Sequence, residues 1–134
     1  MKILTQEEAY KRNPKCLLDT SFILTCVRNK IDFFEQLELE GFKILVPKQV
    51  IKEIEAIKNS KKSEAKSEAN LALKLIKTKK PKIIQLKGKT ADNAIISYTK
   101  QNPSIIVATL DREIKNKTKN RKLVIRSKKK LEII

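Results

Sequence analysis

The sequence predicts an α/β/α sandwich, a single domain built on a mostly parallel central sheet of about five strands. Two observations lead there. Short apolar runs, among them Cys-Leu-Leu, Ile-Leu-Val and Ile-Ile-Val-Ala, lack the alternation of a half-exposed strand and suit strands covered on both faces. Between them lie segments with apolar residues at helical spacing, and strands alternating with helices pair in parallel through crossovers. At 134 residues, 40% of them apolar, the chain can bury a real core within one domain.

Residues 1–14 read as a polar lead-in ending at Pro14, and the domain proper spans 15–134. The first strand ends at Asp19. A helix follows, with Phe22, Ile23, Cys26 and Val27 on one face and Asp19-Thr20-Ser21 as its start signal. Ile31 to Leu39 gives a second amphipathic helix that Gly41 stops. Lys43 to Val46 is a strand, and Pro47 opens a helix striped by Val50, Ile51, Ile54 and Ile57. A Lys-rich polar link over 59–67 precedes a longer helix with Ala69, Leu71, Ala72, Leu75 and Ile76 inward. Ile83 to Leu86 is the next strand. Gly88 to Thr90 turn into a helix marked by Ala91, Ala94, Ile95 and Tyr98. Ile105 to Ala108 is a strand after Pro103, and a short helix starts near Asp111. Leu123 to Ile125 is the last clear strand, and Leu131 to Ile134 adds an edge piece.

Composition removes several chemistries. Histidine is absent, which excludes Ser-His-Asp and Cys-His nucleophiles, His-ligated zinc and His acid–base catalysis. Cys16 and Cys26 lack metal-type spacing and fall on core positions, as expected of reduced thiols in a cytoplasmic protein. The formal net charge of +16 favours a polyanion, and nucleic acid is the commonest. An anionic membrane surface is the competing partner. It is disfavoured because no helix is basic on one face and aromatic on the other, and no apolar run is long enough to span a bilayer.

Catalysis must then rest on carboxylates, lysines or hydroxyls. The four aspartates are Asp19, Asp32, Asp92 and Asp111. Asp19 and Asp111 close predicted strands, and Asp92 follows another by one short turn. Glu53 lies on the helix after the second strand. A parallel sheet carries all these ends to one edge, where open α/β sheets bind ligands. Taken singly, Asp19 and Asp111 read as helix caps and Asp92 as a favourable first-turn anion. Glu53 and Glu55 flank the same apolar stripe, and periodicity does not choose between them. Together, acids gathered at one edge repel unless a cation relieves them. Oxygen ligands suit Mg²⁺ or Mn²⁺ better than zinc.

Four segments carry a family resemblance: Leu-Leu-Asp19-Thr-Ser, Val-Pro-Lys-Gln-Val-Ile-Lys-Glu53-Ile, Thr-Ala-Asp92-Asn-Ala-Ile and Val-Ala-Thr109-Leu-Asp111-Arg-Glu-Ile. In this order the chain resembles the PIN domains, metal-dependent nucleases with a carboxylate site, over about residues 15–134. The resemblance implies an endoribonuclease that uses Mg²⁺ or Mn²⁺ and leaves a 5′-phosphate and a 3′-hydroxyl. It implies Asp19, Glu53, Asp92 and Asp111 as catalytic and metal-binding residues, favouring Glu53 over Glu55, with Ser21 and Thr109 as polar supports. Leu110 departs from the pattern, since many relatives carry Asn there. Within the family, Phe22-Ile23-Leu24 and the small basic chain resemble the ribosomal-RNA-processing branch and its short archaeal relatives. A VapC-type toxin is the close alternative. The implied partners are RNA, an antitoxin or a pre-ribosomal particle, and a second copy of the chain.

Lysines crowd 58–66, 74–82 and 115–130. Each run reads first as a solvated face. As a group they suit phosphate neutralisation, which is salt-dependent and nearly blind to sequence. Arg112 and Lys115 are the phosphate-contact candidates nearest the acids in the chain. Aromatics are too few for stacking readout to dominate. Gly88-Lys89-Thr90 lacks the earlier glycine of a phosphate-binding P-loop, because Ile83 stands there. Two readings outside catalysis stay open. One is a PIN-like module that grips RNA or ribosomes without cutting. The other is a receiver-like domain, which the basic charge and Glu53 disfavour.

Overall fold

The computed structural model describes residues 14–61, 63–127 and 129–134; most of the expected lead-in lies outside them. The first strand is β1 (Lys15–Leu18), followed by α1 (Thr20–Arg28) and α2 (Phe33–Leu39). Then come β2 (Lys43–Pro47), α3 (Lys48–Lys58), α4 (Ser63–Lys79) and β3 (Lys82–Ile84). The second half holds α5 (Ala91–Gln101), β4 (Ile106–Ala108), α6 (Arg112–Lys117), β5 (Lys122–Arg126) and β6 (Lys130–Ile133).

The sheet has six strands in the order β3-β2-β1-β4-β5-β6, the expected five and the edge piece. Five run parallel, and β6 pairs antiparallel with β5 through Val124–Glu132 and its neighbours. The sixth strand is the terminal edge piece. Right-handed crossovers then place α1 to α4 on one face and α5 and α6 on the other. The helix contacts agree: α4 packs on α3 and α1, and α5 packs on α6. The result is the expected α/β/α sandwich.

Cys-Leu-Leu of β1 is fully buried because β1 lies between β2 and β4 and is covered on both faces. Burial raises both thiols, that of Cys26 to about 12, so they serve as core side chains and not as nucleophiles. Asp32 caps α2, accepting from the Glu35 N–H at 3.1 Å, and Gly41 at φ +85° reverses the chain after it. That accounts for the fourth aspartate as purely structural.

Three expectations need correction. The link between α3 and α4 is shorter than 59–67, because α4 already begins at Ser63. Leu71 is 48% exposed; the buried stripe of α4 is Ala69, Ala72 and Ile76, with Leu73 and Leu75 partly covered. The strand read over 83–86 is Lys82–Ile84, and it forms an edge, so Ile83 is exposed. A continuous apolar run does not reveal whether a neighbour exists on its far side.

Candidate active site

The strand order reverses between β1 and β4. From β1 the chain moves toward one edge of the sheet, and from β4 toward the other. The crevice beyond the carboxyl ends of two such strands is where open parallel sheets place ligands. Asp19 follows β1 directly, and its N–H donates to the Ala108 carbonyl at 2.9 Å. Thr109, Leu110 and Asp111 follow β4. Residues 90 apart in the chain therefore meet.

Asp19 occupies the N-cap position of α1 but makes no capping hydrogen bond from its side chain. Its Oδ2 instead accepts from Thr109 Oγ1 at 2.8 Å and from Ser21 Oγ at 3.1 Å. Each hydroxyl is itself held by a backbone donor, Asp111 N–H to Thr109 Oγ1 at 3.0 Å and Leu110 N–H to Ser21 Oγ at 3.1 Å. Ser21 and Thr109 thus lock Asp19 to the loop that carries Asp111. Asp19 is only 3% exposed. Burial pushes its carboxyl above the ordinary value, against the hydrogen bonds from Thr109, the Thr20 N–H and Ser21, and the Glu53 charge adds to the rise.

Asp111 is a working cap. Its Oδ1 accepts from the N–H groups of Glu113 at 2.8 Å and Ile114 at 3.2 Å. Asp92 sits half-buried in the first turn of α5, a helix capped by Thr90 Oγ1. Burial raises the Asp92 carboxyl, and the charges of Asp111, Asp19 and Glu113 raise it further. Glu53 is exposed on α3, with Thr20 Oγ1 donating to its Oε1 at 2.6 Å.

All four acids named from the sequence line one crevice of about 470 Å³, together with Thr20 and Ser21. Glu55 is not among its walls, so geometry separates the two glutamates that periodicity could not. Arg112 and Lys115 lie on α6 outside the lining. Leu110, 39% exposed, contributes its backbone N–H to Ser21, a bond made without its side chain. The tightest group was not foreseen. Among the described residues, Asp92, Asp111 and Glu113 bring carboxylate oxygens within 4.8 Å of one another. Glu113 stands two residues past Asp111, in the first turn of α6. That spacing was the signal available.

Despite the net charge of +16, no lysine or arginine among the described residues lines this crevice. No ion pair among the described residues involves Asp19, Asp92 or Asp111. Among the described residues, Glu113 alone of the group pairs with a cation, Lys117 at 2.8 Å on the solvent side, and the crowded, partly buried aspartates have the donor set that a hard divalent cation takes. Mg²⁺ or Mn²⁺ therefore fits the residues present.

Fold and crevice together define a class, the α/β proteins with a carboxylate site at the switch point of a parallel sheet. The chain belongs to the PIN-like domain family, whose sequence profile matches residues 16–130. It is 32% identical over 125 residues to ribonuclease VapC4 of Methanocaldococcus jannaschii, covering 89% of this chain and 95% of that protein. Its fold is similar to the PIN domain endonuclease Utp24, with a TM-score of 0.73 and 22% identity over 92% of this chain and 94% of that one. Among the described residues no helix is long and apolar enough to cross a membrane.

Proposed function

We propose that the chain is a divalent-metal-dependent endoribonuclease that hydrolyses RNA phosphodiester bonds in the crevice at the ends of β1 and β4. One observation carries the reading: Asp19, Glu53, Asp92 and Asp111 line a single crevice that, among the described residues, holds no basic side chain, in a PIN-family chain related to a ribonuclease. Asp92, Asp111, Glu113 and Asp19 would hold the cation. When bound, it supplies charge neutralisation at the scissile phosphate and a lowered pKa for the attacking water. The protein's own groups do the rest. Thr109 and Ser21 fix the Asp19 carboxylate, and Thr20 fixes Glu53 at the rim, so little reorganisation is needed when substrate binds. Arg112 and Lys115, outside the crevice walls, remain candidates for contacts to flanking phosphates. The likeness to VapC4 favours a VapC-type role over ribosomal-RNA processing, with an antitoxin as the expected partner and the cytoplasm as the expected compartment.

Manganese titration with RNA cleavage as readout tests this, run on the parent and on Asp111→Asn. Saturable, Mn²⁺-dependent cleavage by the parent and none by the variant is the expected result. A parent that binds RNA and cuts none in either metal would leave the chain as a binding module.

A further inference from the structure

A second pocket, of about 520 Å³, opens beside the carboxylate crevice. The two share Glu53 and Ala56 of α3 as a common wall. Their charge is opposite. The second pocket is lined by Lys48, Lys52 and Lys89, and Glu53 is its one acid among the described residues. Lys48 and Lys52 stand four residues apart on α3, which puts their Cβ atoms about 5–6 Å apart on one face. Lys89 comes from the loop between β3 and α5. Glu53 stands on the wall between them, so the lysine-lined pocket and the acidic crevice meet along α3.

The pocket is built. Gln49 Nε2 donates to the Leu86 carbonyl at 2.6 Å, tying that loop to α3. Gly88 holds the loop at φ +140° and approaches α5 so closely that a Cβ there would lie 3.1 Å from Ala94. Thr90 then caps α5, and two residues on stands Asp92. The element that carries Lys89 thus also sets Asp92. The volume suits a mononucleotide-sized unit and is too small for a duplex. No aromatic side chain among the described residues lines it, so its lysines offer binding to phosphate, not to a base.

We propose that Lys48, Lys52 and Lys89 form a phosphate subsite that holds a single RNA strand beside the scissile bond, the strand passing over Ala56 into the carboxylate crevice. The subsite rests on the nuclease reading for its purpose, but its binding chemistry stands independently. The anionic crevice repels RNA, and this is the adjacent cationic surface that offsets the repulsion. Ala56, exposed and small, keeps the passage open.

Fluorescence anisotropy of a short single-stranded oligoribonucleotide, in EDTA and over a salt series, tests binding apart from cleavage. The triple variant Lys48→Gln/Lys52→Gln/Lys89→Gln removes the subsite. Lys43→Gln/Lys79→Gln/Lys82→Gln removes equal charge from a cavity that includes the starts of β2 and β3, at the opposite edge of the sheet. Loss of three contacts flattens the salt slope by about 2, so that between 50 and 200 mM salt the first triple loses about 20-fold less affinity than the parent. The opposite-edge triple keeps the parent's slope. Ala56→Trp raises KM for RNA cleavage and leaves the melting temperature unchanged. Equal slope changes in both triples, or an Ala56→Trp variant with the parent's KM, would overturn the subsite while leaving the nuclease reading intact. A parent that binds RNA through these lysines yet never cleaves overturns the nuclease reading and keeps the subsite.

Discussion

Thr109→Val tests how the site is held together. The side chain is fully buried and nearly isosteric with valine, so the substitution removes one hydroxyl and little volume. That hydroxyl donates to Asp19 at 2.8 Å and accepts from the Asp111 N–H at 3.0 Å. Losing a hydrogen bond to a charged group costs about 1.5–3 kcal/mol, and a part-buried N–H left without its acceptor adds to it. Together these predict a loss of about 2–4 kcal/mol, or a fall of about 1–2 M in the urea midpoint. The effect has a pH signature. Burial raises the Asp19 carboxyl, and the Thr109 hydrogen bond opposes that rise. The variant's carboxyl therefore titrates higher still. A carboxyl raised on folding weakens the fold where it is ionised, and the penalty is released as pH falls through the folded value and is gone by the unfolded one. The deficit of Thr109→Val relative to the parent should be largest near neutrality and shrink toward about pH 4. Urea unfolding of both proteins at several pH values, without divalent metal, is the assay. A deficit below about 0.5 kcal/mol, typical of a neutral surface change, or one that grows on acidification, would refute the account.

Three further outcomes follow from the same geometry. Asp111→Asn keeps the cap and should leave stability near the parent's, while Asp111→Ala should lose about 1 kcal/mol by urea unfolding; both should abolish cleavage, which separates the two roles of this residue. Glu113→Gln should weaken Mn²⁺ half-saturation of cleavage by about 10–100-fold with little change in melting, because the Lys117 ion pair it also breaks is solvent-exposed; an unaltered metal dependence would remove Glu113 from the cation's reach. Gly88→Ala should destabilise by about 1–3 kcal/mol in thermal or chemical unfolding, since φ +140° is strained for a residue with a Cβ and that Cβ, 3.1 Å from Ala94, would force its neighbour to give; a variant as stable as the parent would mean the loop relaxes freely.

The order of elements was legible because each reflects a local rule. The helix after Asp19 shows its start signal and apolar spacing within ten residues. The stop at Gly41 and the turn at Gly88 depend on neighbours a few positions away. The same logic placed Asp19 and Asp111 at strand ends. It failed for Leu71 and Ile83, whose exposure depends on which element lies across from them. It also missed Glu113, whose membership in the acidic group depends on how near Asp92 comes from a distant helix.

By itself the sequence determined which residues stand at the carboxyl ends of strands, since hydrophobic runs and turn chemistry are written locally. Only the tertiary structure decided what those residues face. The reversal of strand order between β1 and β4 brought Thr109 onto Asp19, turning an apparent helix cap into a buried carboxylate held by two hydroxyls. It also set an acidic crevice and a lysine-lined pocket side by side along α3, with Glu53 on their common wall. Side-chain direction depends on contacts across ninety residues of chain, and no periodicity in a one-dimensional string encodes them.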